Sequence, residues 1–299
     1  GGGPGGAGAP DPRAYGTFGG APAPLPGVLA PAPGAGRIAL RELPQSVAAA
    51  SGVLLRVDAL SLLPPPRGGS PTSPITREAR EVSSSMVVGL SLDLRAGDSL
   101  LVTGPSGIGK SSILRAICGL WASGDGTIER CAREQSFFLP QEPYLCLGTL
   151  RDNCTYPGWR FTKQQEPSDD AIRHALGRVR LGHLIDRFGL DQVADFDVEL
   201  SRGEIQRLCF VRLLLYAKGI RFAALDEATS ALDQAGEETL YTLLRQMVPS
   251  YVSVGHRTSL DRHHTHKLVL EGGGSWRFGK MEEMQACTQP HASGDDGVD

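Results

Sequence analysis

Gly104-Pro-Ser-Gly-Ile-Gly-Lys110-Ser111 is the stretch that decides the fold of this 299-residue chain. It fits the pattern G-x-x-x-x-G-K-[ST] in full, and it lies between the apolar run 100–102 and a predicted helix over 110–120. Glycines let a backbone wrap closely around phosphate oxygens, and N–H groups at a helix N-terminus face an anion. A glycine-rich turn that meets the pattern by chance is the alternative, but the strand–loop–helix setting favours a phosphate-binding loop.

Within this loop the residue types match the needs of a bound nucleotide. Lys110 is expected to neutralise the β and γ phosphates, and Ser111 offers its hydroxyl to Mg²⁺. A phosphate loop alone specifies an NTPase without its class, so the class depends on the rest of the chain. The predicted nucleotide-binding residues here are Gly104, Pro105, Ser106, Gly107, Ile108, Gly109, Lys110, Ser111 and Ser112.

Four further segments carry polar residues at the ends of predicted strands and helices. The apolar segment 137–140 ends at Gln141, and the strand predicted over 221–225 runs into Asp226 and Glu227. Asp226 is placed to hold Mg²⁺ through water, and Glu227 to orient an attacking water. Ser201 is a good N-cap for the helix predicted over 204–216, whose dipole can point at a γ-phosphate. His256 closes another apolar run.

Taken singly, each of these four segments also has an ordinary structural explanation: a turn glutamine, an acid pair at a helix start, a helix cap and a surface histidine. Their order and spacing, however, resemble the ABC ATPase family over about residues 53–280: Walker A, Q-loop, signature, Walker B and H-loop. Segment 230–233 is similar to the D-loop of that family. The resemblance implies ATP and Mg²⁺ as ligands, with Glu227 and His256 as catalytic residues. It also implies that Ser111, Gln141 and Asp226 lie at the metal. The further nucleotide-binding residues that it implies are Gln141, Ser201, Gly203, Glu204 and Asp233.

The alternation of strands with helices predicts a mainly parallel sheet. Strands are expected over 53–63, 86–94 and 99–103, and one helical stretch over 169–188, although Gly177 and Gly182 weaken it. The family resemblance implies an α/β fold: a P-loop NTPase core with an antiparallel β subdomain and a helical subdomain at about 142–215.

Composition divides the chain into three predicted regions. Residues 1–50 contain 12 Gly, 12 Ala and 9 Pro, too little apolar side chain to offset the entropy of ordering, so they are predicted to be a disordered linker. Residues 51–280 are the predicted nucleotide-binding domain, and 281–299 a polar, mobile tail.

Finer details are similar to the peroxisomal-type subfamily D and its bacterial and plastid relatives. They include the runs 138–144, 147–152, 226–233 and 252–257, and segment 148–150 is expected to shape the surface that meets a membrane domain. Two features depart from the wider family. The signature reads LSRGE, with Arg202 at its third position, and no aromatic residue occurs between Phe18 and Trp121. The adenine platform is therefore expected to be Arg67 or the pair 62–63, with weak base discrimination.

Bulk properties exclude some classes of function. The net charge of −3 argues against a nucleic-acid partner, and no uncharged apolar run approaches the ~20 residues that cross a bilayer. The six cysteines form no CxxC pair and are expected to be reduced thiols. His263, His264 and His266 are interpreted as a solvated strand start rather than a metal site.

Three functions remain open at this stage. The first is an ATPase subunit that drives transport, with a membrane-spanning domain and a second nucleotide-binding domain as partners. Its substrate would be lipid, acyl-CoA or related, and its location a peroxisomal, plastid or bacterial inner membrane. The second is a soluble ABC ATPase that acts on DNA or ribosomes; the 90 residues between Lys110 and Leu200 leave no room for the long coiled coil of DNA-repair members. The third is a catalytically weak, structural cassette.

Overall fold

A computed structural model of the chain describes residues 36–44, 46, 50–64, 85–157 and 166–286. The strands are β1 Ala39–Glu42, β2 Val53–Leu62, β3 Val87–Arg95, β4 Ser99–Thr103, β5 Gly124–Arg130, β6 Ser136–Leu139, β7 Gly148–Thr149, β8 Val193–Ala194, β9 Phe222–Asp226, β10 Ser250–Val254, β11 His266–Gly272 and β12 Ser275–Lys280. The helices are α1 Lys110–Ile117, α2 Leu150–Thr155, α3 Asp169–Arg178, α4 His183–Phe188, α5 Phe196–Glu199, α6 Arg202–Tyr216, α7 Gln234–Met247 and α8 Met281–Ala286, with 3-10 turns at Arg133–Gln135 and Thr258–His263.

A six-stranded sheet forms the centre of the molecule, in the order β12-β11-β4-β10-β9-β6. All neighbouring pairs are parallel except β11 and β12. Every residue of β9 and β10 is buried, as expected for strands covered on both faces. Because β4, β6, β9 and β10 are parallel, the loops after them meet at one edge, where α/β sheets bind ligands. The predicted α/β fold with a mainly parallel sheet is confirmed.

A second sheet of four strands, in the order β1-β5-β2-β3, covers one side of this core. The pairs β2–β3 and β2–β5 are antiparallel, whereas β1 runs parallel to β5. Strand β1 lies inside the range 1–50 that composition predicts to be a linker. Within that range Ile38 and Leu43 are buried, so a short apolar segment pairs with an open sheet edge despite its Ala- and Pro-rich surroundings. Residues 1–35 lie outside the described part of the chain.

The helical stretch predicted over 169–188 is wrong as one helix, because the structure has two. Helix α3 ends at Arg178, and Arg180 then adopts a positive φ of 61° before α4 begins at His183. The apolar residues still share one core: Ile172, Leu176 and Leu184 are fully buried in the same cluster as apolar residues of α6. The start of the predicted polar tail also differs, since 281–286 form α8 with Met281 buried.

Candidate functional site

The phosphate loop connects β4 to α1, and its backbone conformation requires glycine. Gly104 and Gly109 have φ values of 143° and 110°. A Cβ atom would lie 2.6 Å from the Leu270 carbonyl oxygen at Gly104, and 2.9 Å from the Met86 Cβ at Gly109. Residues 105–107 are exposed at the loop tip, while 108–109 and 111–112 are half-buried. The loop tip is therefore accessible at the start of a helix, where backbone N–H groups can bind an anion.

Lys110 is buried beneath this loop and organises it. Its Nζ donates hydrogen bonds to the carbonyl oxygens of Gly104 and Pro105, at 3.1 and 2.8 Å. Burial lowers the pKa of Lys110, while the nearby carboxylates of Glu227 and Asp226 act in the opposite direction. A buried ammonium held by backbone carbonyls is a ready partner for a phosphate group.

Ser111 and Asp226 form a pair of oxygen ligands next to the loop. The Ser111 hydroxyl donates to Asp226 Oδ1 at 2.7 Å, which brings the end of β9 to the start of α1. Burial raises the pKa of Asp226, and the Ser111 hydrogen bond lowers it. Mg²⁺ prefers oxygen ligands and keeps several waters and phosphate oxygens, so this pair fits it. No cluster of three His, Cys, Asp or Glu side chains that could hold another metal occurs among the described residues.

Glu227 follows Asp226 and is held from two sides. Gln141 Nε2 donates to its Oε2 at 3.0 Å, and His256 Nε2 lies 3.3 Å from its Oε1. Glu227 has a φ of 48°, a left-handed conformation that is uncommon outside glycine and concentrates at functional sites. The loops after β6, β9 and β10 thus bring three predicted site residues together, with Gln141 and His256 both against the Glu227 carboxylate.

The signature segment, 200–204, forms no hydrogen bond with the Glu227 carboxylate among the described residues. Ser201 caps α6: its hydroxyl oxygen accepts from the Glu204 N–H, and the Glu204 carboxylate accepts from the Ser201 N–H at 2.9 Å. His183 Nε2 lies 2.9 Å from Glu204. Burial would raise the pKa of Glu204, but the hydrogen bonds from Ser201 and His183 lower it to about 2. Gly203 is half-buried, and a Cβ atom at this position would lie 3.3 Å from the Ala231 carbonyl oxygen.

Two residues missed by the sequence analysis connect these segments. Gln206 Nε2 donates to Ser230 Oγ at 3.0 Å and to the Glu227 carbonyl oxygen at 3.3 Å, and its Oε1 accepts from the Ala231 N–H. The Arg257 guanidinium donates to the carbonyl oxygens of Ser230 and Leu232, each at 2.7 Å. Both follow motif residues closely in sequence, but only the fold shows that they hold segment 230–233. Asp233 itself caps α7, accepting from the Gly236 N–H.

The structure differs from the sequence analysis at two of the histidines and at the predicted adenine platform. His263 and His264 are buried, not solvated: His263 stacks on Tyr241 at 4.9 Å, and His264 Nδ1 lies 2.8 Å from the Leu260 carbonyl oxygen. Leu62 is fully buried and cannot stack on a base, while Leu63 is half-buried. Arg67 lies outside the described residues.

Comparisons with known proteins identify relatives of this chain. The family model described as "ABC transporter" matches residues 87–230. An uncharacterised ABC transporter ATP-binding protein from Synechocystis is 43% identical over 205 residues, which are 68% of this chain and 30% of that protein. ATP-binding cassette sub-family D member 3 from Mus musculus is 38% identical over 200 residues, covering 66% of this chain and 30% of the mouse protein. The chain therefore spans about a third of the length of these relatives.

A solved bacterial Atm1-family ABC exporter with ATP bound has the same fold, with a TM-score of 0.62 at 21% identity over 88% of this chain and 43% of the exporter chain. No helix among the described residues is long and apolar enough to cross a membrane. The family model and the sequence relatives show that residues 87–230 belong to the ABC transporter family of ATP-binding domains, and that the chain is homologous to members of its sub-family D.

Proposed function

We propose that this domain binds and hydrolyses Mg-ATP and that hydrolysis drives transport through an associated membrane domain. The observation that carries the proposal is the position of the Glu227 carboxylate, between Gln141 and His256 and directly after Asp226. Hydrolysis requires a group that orients water beside a metal-bound phosphate, and these contacts provide it.

Each of the surrounding residues has a task in this reaction. The loop N–H groups and Lys110 hold the β and γ phosphates. Ser111, Gln141 and Asp226 would hold Mg²⁺, which would supply positive charge to the phosphate oxygens. Glu227 accepts a hydrogen bond from the attacking water and aligns it, while His256 fixes the Glu227 carboxylate and faces the γ-phosphate.

A complete site needs a second nucleotide-binding domain. The hydrogen bonds of Ser201 and Glu204 stay within their own segment and with His183, and none reaches the phosphate loop in the described part of the chain. Arg202 is exposed at the first turn of α6. In the proposed arrangement two domains face head to tail, and Ser201, Gly203 and Glu204 of one complete the nucleotide site of the other, with Asp233 near the contact.

An exposed apolar patch supports docking to a membrane domain. We define it as Leu147, which is 82% exposed, and Val193, which is 66% exposed. The pairing of β7 with β8 brings segments 147–149 and 193–194 side by side. Large apolar side chains in such a group mark an interaction surface. The proposed substrates are lipids, acyl-CoA or related compounds, chosen by the membrane helices.

The decisive experiment measures ATP turnover by the wild-type domain and by Glu227→Gln. The wild type is expected to release phosphate, and the variant to bind ATP with turnover reduced by about 100-fold or more, because the charge that polarises water is lost. Binding without turnover in the wild type would favour a structural cassette. The full-length gene product should be recovered with membranes; recovery in the soluble fraction would favour the soluble class of ABC ATPase.

A further inference from the structure

A cavity of about 480 Å³ lies at the opposite edge of the central sheet from the nucleotide site. It is bounded by β1, by the end of α1 at Ile117 and the residues after it, and by Ser136 and Phe222 at the amino ends of β6 and β9. The site residues Lys110, Gln141 and Asp226 lie at the other ends of these elements. The volume is within the range of small-molecule binding sites.

Arg130 is the unusual side chain in the wall of this cavity. It is only 7% exposed, its Nε is buried without a hydrogen-bond partner, and no carboxylate pairs with it among the described residues. Its Nη1 donates to the neutral Ser136 hydroxyl at 2.8 Å. A buried guanidinium without a counter-ion is costly, so a protein normally supplies an anion to it.

The remaining lining residues do not supply that anion. Arg41 and Arg133 add positive charge, and Glu42 is the single acidic residue lining the cavity, with its carboxylate 3.4 Å from the Arg133 N–H. Burial raises the pKa of the nearby Cys118 thiol to about 12, so this thiol is neutral at physiological pH. The lining therefore carries a surplus of positive charge around an enclosed arginine.

Aromatic and aliphatic side chains form the rest of the wall. Phe138 and Phe222 belong to the core between the two sheets, and Leu40, which is 42% exposed, stands at the cavity wall nearest solvent. We propose that the cavity binds a small organic anion, with a carboxylate or phosphate group on Arg130 and a planar apolar body against the half-buried Phe138. An arginine fork matches either head group, and aromatic walls favour an aromatic body.

Calorimetry on the full chain with three naphthalene probes tests this site. The probes are 2-naphthoate, 2-naphthyl phosphate and the uncharged 2-naphthol. At least one anionic probe is expected to bind about tenfold or more tightly than 2-naphthol, because a charge-assisted hydrogen bond is gained. Tighter binding of the carboxylate or of the phosphate identifies which head group the site takes.

Variants locate the binding. Arg130→Met keeps the volume but removes the charge, and it should weaken binding of the anionic probe by about tenfold or more. Leu40→Trp should reduce binding by filling the cavity from an exposed position, so that folding is preserved. Arg245→Met, an exposed arginine on α7, is the matched control and should bind as the wild type does. Lys110→Ala should also bind the probe normally, since the nucleotide site is separate.

Urea unfolding distinguishes an Arg130 that serves ligand binding from an Arg130 that stabilises the fold. Removing an unpaired buried charge should leave stability unchanged or higher, so Arg130→Met is expected to unfold at the same or a higher urea concentration. Absence of binding by both anionic probes, equal binding by 2-naphthol, or unchanged binding by folded Arg130→Met would overturn the proposal. Loss of probe binding in Lys110→Ala would do the same, by assigning the probe to the nucleotide site.

Discussion

At the scale of single residues, Lys110 is the group on which nucleotide binding depends most. Its ammonium lies beneath the phosphate loop, bonded to the carbonyl oxygens of Gly104 and Pro105. Lys110→Ala should abolish Mg-ATP binding or weaken it at least about 100-fold, because a charge that faces the phosphates is lost. Isothermal titration calorimetry measures this directly, with Lys267→Ala as a control, since Lys267 is paired with Asp261. Unchanged affinity in Lys110→Ala would refute the assignment of the loop.

Recognition of the base is a second question at this scale. The chain has no aromatic residue between Phe18 and Trp121, and Leu62 is fully buried. Stacking contributes roughly 1–3 kcal/mol per base whichever base is bound, so without it the base adds little to the affinity for either nucleotide. GTP is therefore expected to compete with ATP within about tenfold. A competition assay that finds a hundredfold preference for ATP would contradict this expectation.

At the scale of elements, the segment 230–233 between β9 and α7 is held by α6 and by Arg257 in the loop after β10. Arg257 donates to two of its carbonyl oxygens, and Gln206 bonds Ser230 and Ala231. Arg257→Met should lower ATP turnover by about tenfold while ATP affinity stays within about twofold, because Arg257 positions this segment without contacting the phosphate loop. Arg262→Met, in the following 3-10 turn, is the control. Equal losses of affinity and turnover in Arg257→Met would point instead to general destabilisation.

His264, which follows the turn 258–263 and packs against Tyr241 of α7, makes stability sensitive to acid. Burial lowers the pKa of His264 to about 4 from an unfolded value near 6.5. The unfolded chain therefore binds a proton that the folded protein excludes, and stability falls as the pH drops from about 6.5 towards 4. From pH 7.5 to pH 5 the loss from His264 is about 2 kcal/mol. Urea unfolding at both pH values should show this loss in the wild type and a smaller one in His264→Gln; identical losses would contradict it.

At the scale of the whole molecule, the expected mechanism needs two copies of the domain. The signature at the start of α6 and the phosphate loop at the start of α1 share no hydrogen bond among the described residues, so each site is expected to close across two domains. The isolated chain should dimerise weakly, and its ATPase rate per mole should rise with protein concentration. Glu227→Gln should accumulate as an ATP-bound dimer, measured by light scattering. A monomeric Glu227→Gln, together with wild-type activity that is flat on dilution, would exclude the two-domain mechanism.

The sequence by itself determined the fold class and named most residues of the candidate site, because those depend on short segments with strict local requirements. Only glycine tolerates the φ values at Gly104 and Gly109, and buried parallel strands need continuous apolar runs ending in polar loops. Tertiary structure decided the contacts that depend on distant segments. Such contacts include the Gln141–Glu227–His256 arrangement and the hydrogen bonds of Gln206 and Arg257 to segment 230–233. The pairing of β1 and the burial of Arg130 and His264 likewise depend on segments far apart in sequence. No local pattern encodes them, since a side chain's partner is set by which strands become neighbours in the sheet.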